Sequence, residues 1–108
     1  MIDHVRARLA YLQSVEKKAE EWKREGYEVK ANLSGWDRPS KIEGLVPDLR
    51  GKRGETIRIG KFETENNLAV KKEQWEKLKK YAEKNSNVSF RLYIILKNGD
   101  CKLHKIYE

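Results

Sequence analysis

The sequence predicts an α/β domain in which helices flank a mixed central sheet, with the order α-β-β-β-α-β-β. Three observations predict it. A stripe with helical spacing opens the chain. Short alternating segments flank a basic turn in its middle. A second helical stripe then precedes the most apolar run, VSFRLYIIL at 88–96. At 108 residues the chain suits one domain spanning 1–108.

Ile2, Val5, Leu9, Leu12, Val15, Ala19 and Trp22 recur at three- and four-residue steps, the buried stripe of a long first helix. Asp3 stands near its start, and Gly26 supplies a stop. Tyr27, Val29, Ala31 and Leu33 alternate with Glu28, Lys30 and Asn32, which reads as a strand. SGWDRPSK at 34–41 is a polar loop. Leu45 to Leu49 read as a short strand at an edge or bend because of Pro47, and GKRG at 51–54 reads as the hairpin turn. On the next strand Ile57, Ile59, Lys61 and Glu63 share one face, and Thr56, Arg58, Gly60 and Phe62 the other. ENN at 65–67 is the expected cap of a second helix that turns Leu68, Trp75, Leu78, Tyr81 and Ala82 inward and ends at Asn85. Residues 88–96 are the expected central strand. KNGD at 97–100 is a turn. Cys101, Leu103, Lys105 and Tyr107 then alternate with Lys102, His104 and Ile106 in a last strand.

Charged residues make up 38% of the chain, and 24 basic residues against 17 acidic ones give +7. The periodic apolar content excludes a disordered segment. The excess is even, +3 over residues 1–54 and +4 over 55–108, so there is no basic tail. This balance is compatible with a polyanion, and equally with a solvated Lys/Glu-rich surface. A single cysteine, Cys101, excludes an internal disulfide and fits a reducing, cytoplasmic setting. No stretch has the length and apolarity of a membrane span, so no membrane partner is expected.

The chemistry concentrates in VPDLRGKRGETIRIGKFET at 46–64. Pro47-Asp48 precedes the hairpin, and Lys61-Phe62-Glu63 ends the strand after it. With the order of elements, these residues resemble the PD-(D/E)XK, or restriction-endonuclease-like, nuclease superfamily, and within it the small archaeal Holliday-junction resolvases. The resemblance runs along nearly the whole chain. It implies a restriction-endonuclease-like fold, DNA as partner, and Mg²⁺ or Mn²⁺ held by Asp48 and Glu63. Lys61 would be the charge-bearing helper, and Gln74 on the second helix would orient water or a ligand. Glu16, Glu20 or Glu21 could add a ligand from the first helix. The family often works as a dimer, so a homodimer belongs to the same expectation.

The triplet departs from the family in one respect: its order is KxE where the family has ExK. Residues two apart on a strand face the same way, with Cα atoms about 6.5–7 Å apart. The exchange therefore keeps the charge balance and moves the ligand, and an ammonium at the expected ligand place repels a cation. Two functional readings stand: a metal-dependent endonuclease with a rearranged site, and a catalytically inactive binding or scaffold domain that keeps the fold.

Trp36, Arg38 and Lys41 of the polar loop and Arg50, Lys52 and Arg53 of the turn are the candidate nucleic-acid-binding residues, gripping phosphates and stacking on a base. The alternative is a solvated loop pair. The lysines of the second helix interleave with Glu73, Glu76 and Glu83 and read as a solvated face. His4 and His104 have no partner at metal-ligand spacing, and Cys101 has none for nucleophilic chemistry.

Overall fold

The first helical stripe needs an apolar sheet to cover, and the chain supplies one with two apolar faces. The computed structural model describes residues 2–108, with side chains from Val5 onward, so Asp3 as a helix start, Ile2 in the stripe and the His4 side chain lie outside the described residues. The elements are α1 (Ile2–Arg24), β1 (Glu28–Ala31), β2 (Leu49–Arg53), β3 (Thr56–Thr64), α2 (Glu65–Val70), α3 (Lys72–Lys84), β4 (Val88–Ile95) and β5 (Cys101–Tyr107). They form one five-stranded sheet in the order β1-β2-β3-β4-β5. Only β3 and β4 run parallel, joined by the α2–α3 crossover, and the other neighbours are antiparallel. The expected α/β class, mixed sheet and order of elements are all present.

Val15, Ala19 and Trp22 of α1 pack on Leu49, Phe62, Tyr93 and Ile95. On the other face Trp75, Leu78 and Ala82 of α3 pack on Ile59, Val88, Phe90 and Leu92. Alternate residues of β3 and β4 thus enter different cores, which is why VSFRLYIIL is apolar almost throughout. This run lies second from the β5 edge, and the central strand is β3.

Several boundaries differ from expectation, each for a local reason. Residues 51–53 of GKRG belong to β2, and the turn is Gly54-Glu55 between the paired Arg53 and Thr56. Gly54 takes φ +62° at the first central position, where a two-residue hairpin calls for glycine. Gly51 is a strand glycine because the helix lies on it. A Cβ there would come within 3.0 Å of Tyr27 Cδ2 and 3.1 Å of Trp22 Cε3. The strand expected at Leu45–Leu49 begins only at Leu49, and Leu45 instead closes a tight turn with Ile42. The helix cap is Thr64, whose hydroxyl accepts from the Asn67 N–H, in place of ENN. The single helix expected over 65–85 breaks at Lys71, while Asn85 ends it as expected. In β5 a register shift beside Leu92 and Tyr93 leaves Cys101 packing with the α1 core and Tyr107 with the α3 core, so they do not share a face.

Candidate functional site

The site sits where β2 and β3 part. Leu49 pairs with Gly60, so the register places Asp48 opposite Lys61. Pro47 has no N–H to continue the ladder, and the chain turns away there. Beyond the last backbone bond of this pair, from Asp48 N–H to Gly60 O at 3.1 Å, the Phe62 N–H has lost its strand partner. The Asp48 carboxylate replaces it, with Oδ2 accepting from Phe62 N at 2.8 Å. Oδ1 accepts from the Tyr11 hydroxyl, which α1 brings across the end of the sheet. The Lys61 ammonium lies 3.5 Å from Oδ2. Asp48 is 1% exposed, and the three donors converge on it.

Glu63 shares the Lys61 face of β3, is 7% exposed, and its Oε2 is buried without a hydrogen-bond partner. Burial pushes its carboxyl above the usual carboxylate range and the charge of Asp48 adds to this, while Lys61 and Lys71 oppose it. That second lysine, Lys71, stands at the break between α2 and α3. Burial likewise raises Asp48, opposed by Lys61, the Tyr11 hydroxyl and the Phe62 N–H. Burial first, and then Asp48, raises the Tyr11 phenol above its ordinary 10.0.

The structure therefore brings together Asp48, Lys61 and Glu63, the three residues that the family resemblance singles out, and adds Tyr11 and Lys71. It does not add the others. Gln74 is exposed on the first turn of α3 and shares no side-chain hydrogen bond with the three. Glu16 and Glu20 are exposed, and Glu21 pairs with Lys18 at 2.8 Å. The place on α1 expected to offer a carboxylate offers the Tyr11 phenol. The signal for Tyr11 was its spacing, four and eight residues before the buried Val15 and Ala19.

The donor set does not fit Mg²⁺ or Mn²⁺ as it is arranged. Both Asp48 oxygens already accept from protein donors, one of them an ammonium. Glu63 Oε2 is the buried carboxylate oxygen left free. Among the described residues no group of three or more His, Cys, Asp or Glu is placed to hold a metal ion. Burial also raises the Cys101 thiol, away from nucleophilic chemistry.

The six candidate binding residues divide between two faces. Trp36 packs against the α1 core, with Lys23 Nζ 5.3 Å from its ring centre, so it is no free stacking platform. Arg53 is also held on the α1 side, over the Tyr27 ring at 4.6 Å and donating to Glu25 O at 2.9 Å. Arg38 donates to Asn32 Oδ1 at 3.1 Å, and Lys41 is exposed on the loop. Arg50 and Lys52 stand on the opposite face, on the same side of β2 as Asp48. There the register adds Lys30, directly across from Arg50. Its signal was the polar side of the Glu28-Lys30-Asn32 alternation.

Comparison with protein families, with characterised proteins and with solved structures finds no match to this chain.

Proposed function

We propose that the chain is a nucleic-acid-binding domain of restriction-endonuclease-like topology, in which an internal ion pair takes the place of a metal ion at the strand break. The observation that carries the binding function is the Lys30–Arg50 pair. Like charges directly opposite each other cost stability. Lys52 follows on the same face with Glu28 across from it, and none of the three cations forms an ion pair among the described residues. Helices α2 and α3 pack on β3, β4 and β5, which leaves the β1–β2 end of this face to the 32–48 loop and solvent. A polyanion laid across it offsets the repulsion, and phosphate contacts supply most sequence-independent affinity. Homodimerisation is part of the same proposal, and light scattering tests it.

The test is anisotropy of a labelled DNA duplex across a KCl series. The parent binds with a log–log slope of about −0.9 per phosphate contacted. The K30Q/R50Q/K52Q variant loses up to about 2.7 from that slope, one contact per cation. Equal affinity and slope in parent and variant refute the assignment, as does a lack of binding at low salt.

Glu63 favours a second reading. A buried carboxylate oxygen without a donor is what a metal-dependent endonuclease would keep as a ligand. Labelled linear, branched and single-stranded DNA, incubated in Mg²⁺ and in Mn²⁺ beside the D48N variant, decides it. Cleavage by the parent alone selects the nuclease, and no cleavage by either selects the binding domain.

A further inference from the structure

A depression of about 310 Å³ opens on the α1 face of the sheet, where β3 and β4 begin and α1 has ended. Arg58, Arg91, Thr56, Ser86 and Ser89 line it. Arg58 pairs with Ser89, and Arg91 with Gly60, across the parallel β3–β4 ladder. The two arginines thus share a face, one pleat period apart, or about 6.6 Å along the strands.

Their circumstances differ. Arg58 lies over the Tyr27 and Trp22 rings at 4.3 and 5.1 Å and pairs with Glu25 at 3.3 Å. Its charge is matched within the fold. Arg91 is half-buried and forms no ion pair among the described residues, and its Nε is buried without an acceptor. Glu108 also lines the depression but makes no ion pair with it. A buried donor left without an acceptor costs free energy that folding alone does not recover. The rim is fixed, because Asn87 donates to Glu55 O at 2.9 Å and accepts at its own carbonyl from Ile57 N at 2.8 Å.

We infer that this depression binds an oxyanion of the phosphate class, with the Arg91 guanidinium as its principal contact. A guanidinium offers its N–H groups as a planar fork to two oxygens at once. The hydroxyls of Thr56, Ser86 and Ser89 supply further donors for a group with three terminal oxygens, more than a carboxylate uses. The site lies on the sheet face opposite Lys30, Arg50 and Lys52, so it goes beyond the nucleic-acid face and either can fail alone.

The experiment titrates inorganic phosphate, against chloride at matched ionic strength, into ¹⁵N-labelled protein and follows the Arg91 Nε–Hε resonance, assigned by its absence in R91K. The expected result is a saturable shift, weakened about tenfold or more in R91Q and R91K, the fork's share of the affinity. K80Q removes the same charge from the exposed face of α3 and leaves the titration unchanged. A shift that never saturates, or one equally weakened in K80Q, overturns the site. Arg91 has no partner to lose, so R91Q should keep the parent's melting temperature; a variant that unfolds overturns the description of Arg91 as unpartnered. A 5′-phosphorylated and a 5′-hydroxyl oligonucleotide then separate the sources. Preference for the former in the parent and not in R91Q makes a nucleic-acid end the ligand, and no preference leaves a small phosphorylated molecule.

Discussion

Replacing Asp48 separates its two roles, capping a backbone and countering a charge. In D48A three donors lose their acceptor. Lys61 is 20% exposed and Tyr11 is half-buried, so both can turn toward water. The Phe62 N–H is buried within the sheet and cannot. An orphaned buried donor costs about 1–3 kcal/mol, and the lost packing of a fully buried side chain adds to it, so D48A should lose about 3 kcal/mol. D48N keeps a carbonyl for Phe62, and the Tyr11 hydroxyl can rotate to accept from the new amide. It gives up the attraction to a lysine that water can solvate, about 1 kcal/mol. The assay is urea unfolding followed by tryptophan fluorescence, with Trp22 in the core as reporter and an unchanged m-value as the two-state check. At about 4 °C per kcal/mol, the melting temperature should fall by about 12 °C in D48A and about 4 °C in D48N. Equal losses would show that charge matters more than the cap. A D48A variant as stable as the parent would refute the cap. The ordering also makes D48N the right control for cleavage, since it tests chemistry in a folded chain.

Tyr11 predicts an alkaline limit. Its folded pKa lies above the ordinary 10.0, so its contribution is full below that value and is lost as pH rises past it, at about 1.4 kcal/mol per pH unit. Urea midpoints between pH 9 and 11 should therefore fall less steeply in Y11F than in the parent, and parallel profiles refute the assignment. At Gly60 a Cβ would meet Trp22 Cη2 at 3.1 Å and Leu49 Cβ at 3.3 Å, so G60A should cost about 1–3 kcal/mol in the same assay. The exchange K61E/E63K restores an acid opposite Asp48; the variant should be less stable than the parent in EDTA and regain about 1.4 kcal/mol in Mg²⁺ at ten times its dissociation constant. Equal responses of parent and variant to Mg²⁺ would count against the reading of the residue order.

Much of this was legible in the sequence, because period and punctuation carry the fold. The buried part of the α1 stripe, Val15, Ala19 and Trp22, and the apolar β4 run follow from spacing, and the KNGD turn from its residue types, whereas Val5 and Leu9, expected in the same buried stripe, are exposed because α1 there extends past the sheet's apolar core. Gly51 was misread because a glycine beside basic residues looks like a turn, and only the indole of Trp22 lying on the sheet requires it within a strand. The β5 bulge and the break at Lys71 carry no glycine or proline, so the sequence does not mark them. At the site, Asp48, Lys61 and Glu63 were legible through the family resemblance, carried by the order of elements and their spacing across the hairpin. Tyr11 was not, because its partner lies 37 residues away and its position on α1 resembles any other on the apolar stripe. Trp36 looked available because its neighbours in sequence are polar, but those in space are not.

What the triplet does depends on register more than on composition. Position 61 is the residue across from Asp48, and position 63 is one pleat further along, toward the end of the strand. With an acid at 61, two carboxylates would face each other in a buried space, and a bound cation or a retained proton would relieve them. With lysine at 61 the relief is built in, and it arrives together with the Phe62 N–H and the Tyr11 hydroxyl. The displaced acid at 63 then meets no donor at Oε2, and burial raises its pKa, with Lys61 and Lys71 only partly offsetting the effect. The same three side chains in the other order would make an apo state that a metal ion stabilises. In this order they make one whose strand break is closed by its own residues, while a like-charge pair, Lys30 and Arg50, lies across β1 and β2 beside Glu28 and Lys52.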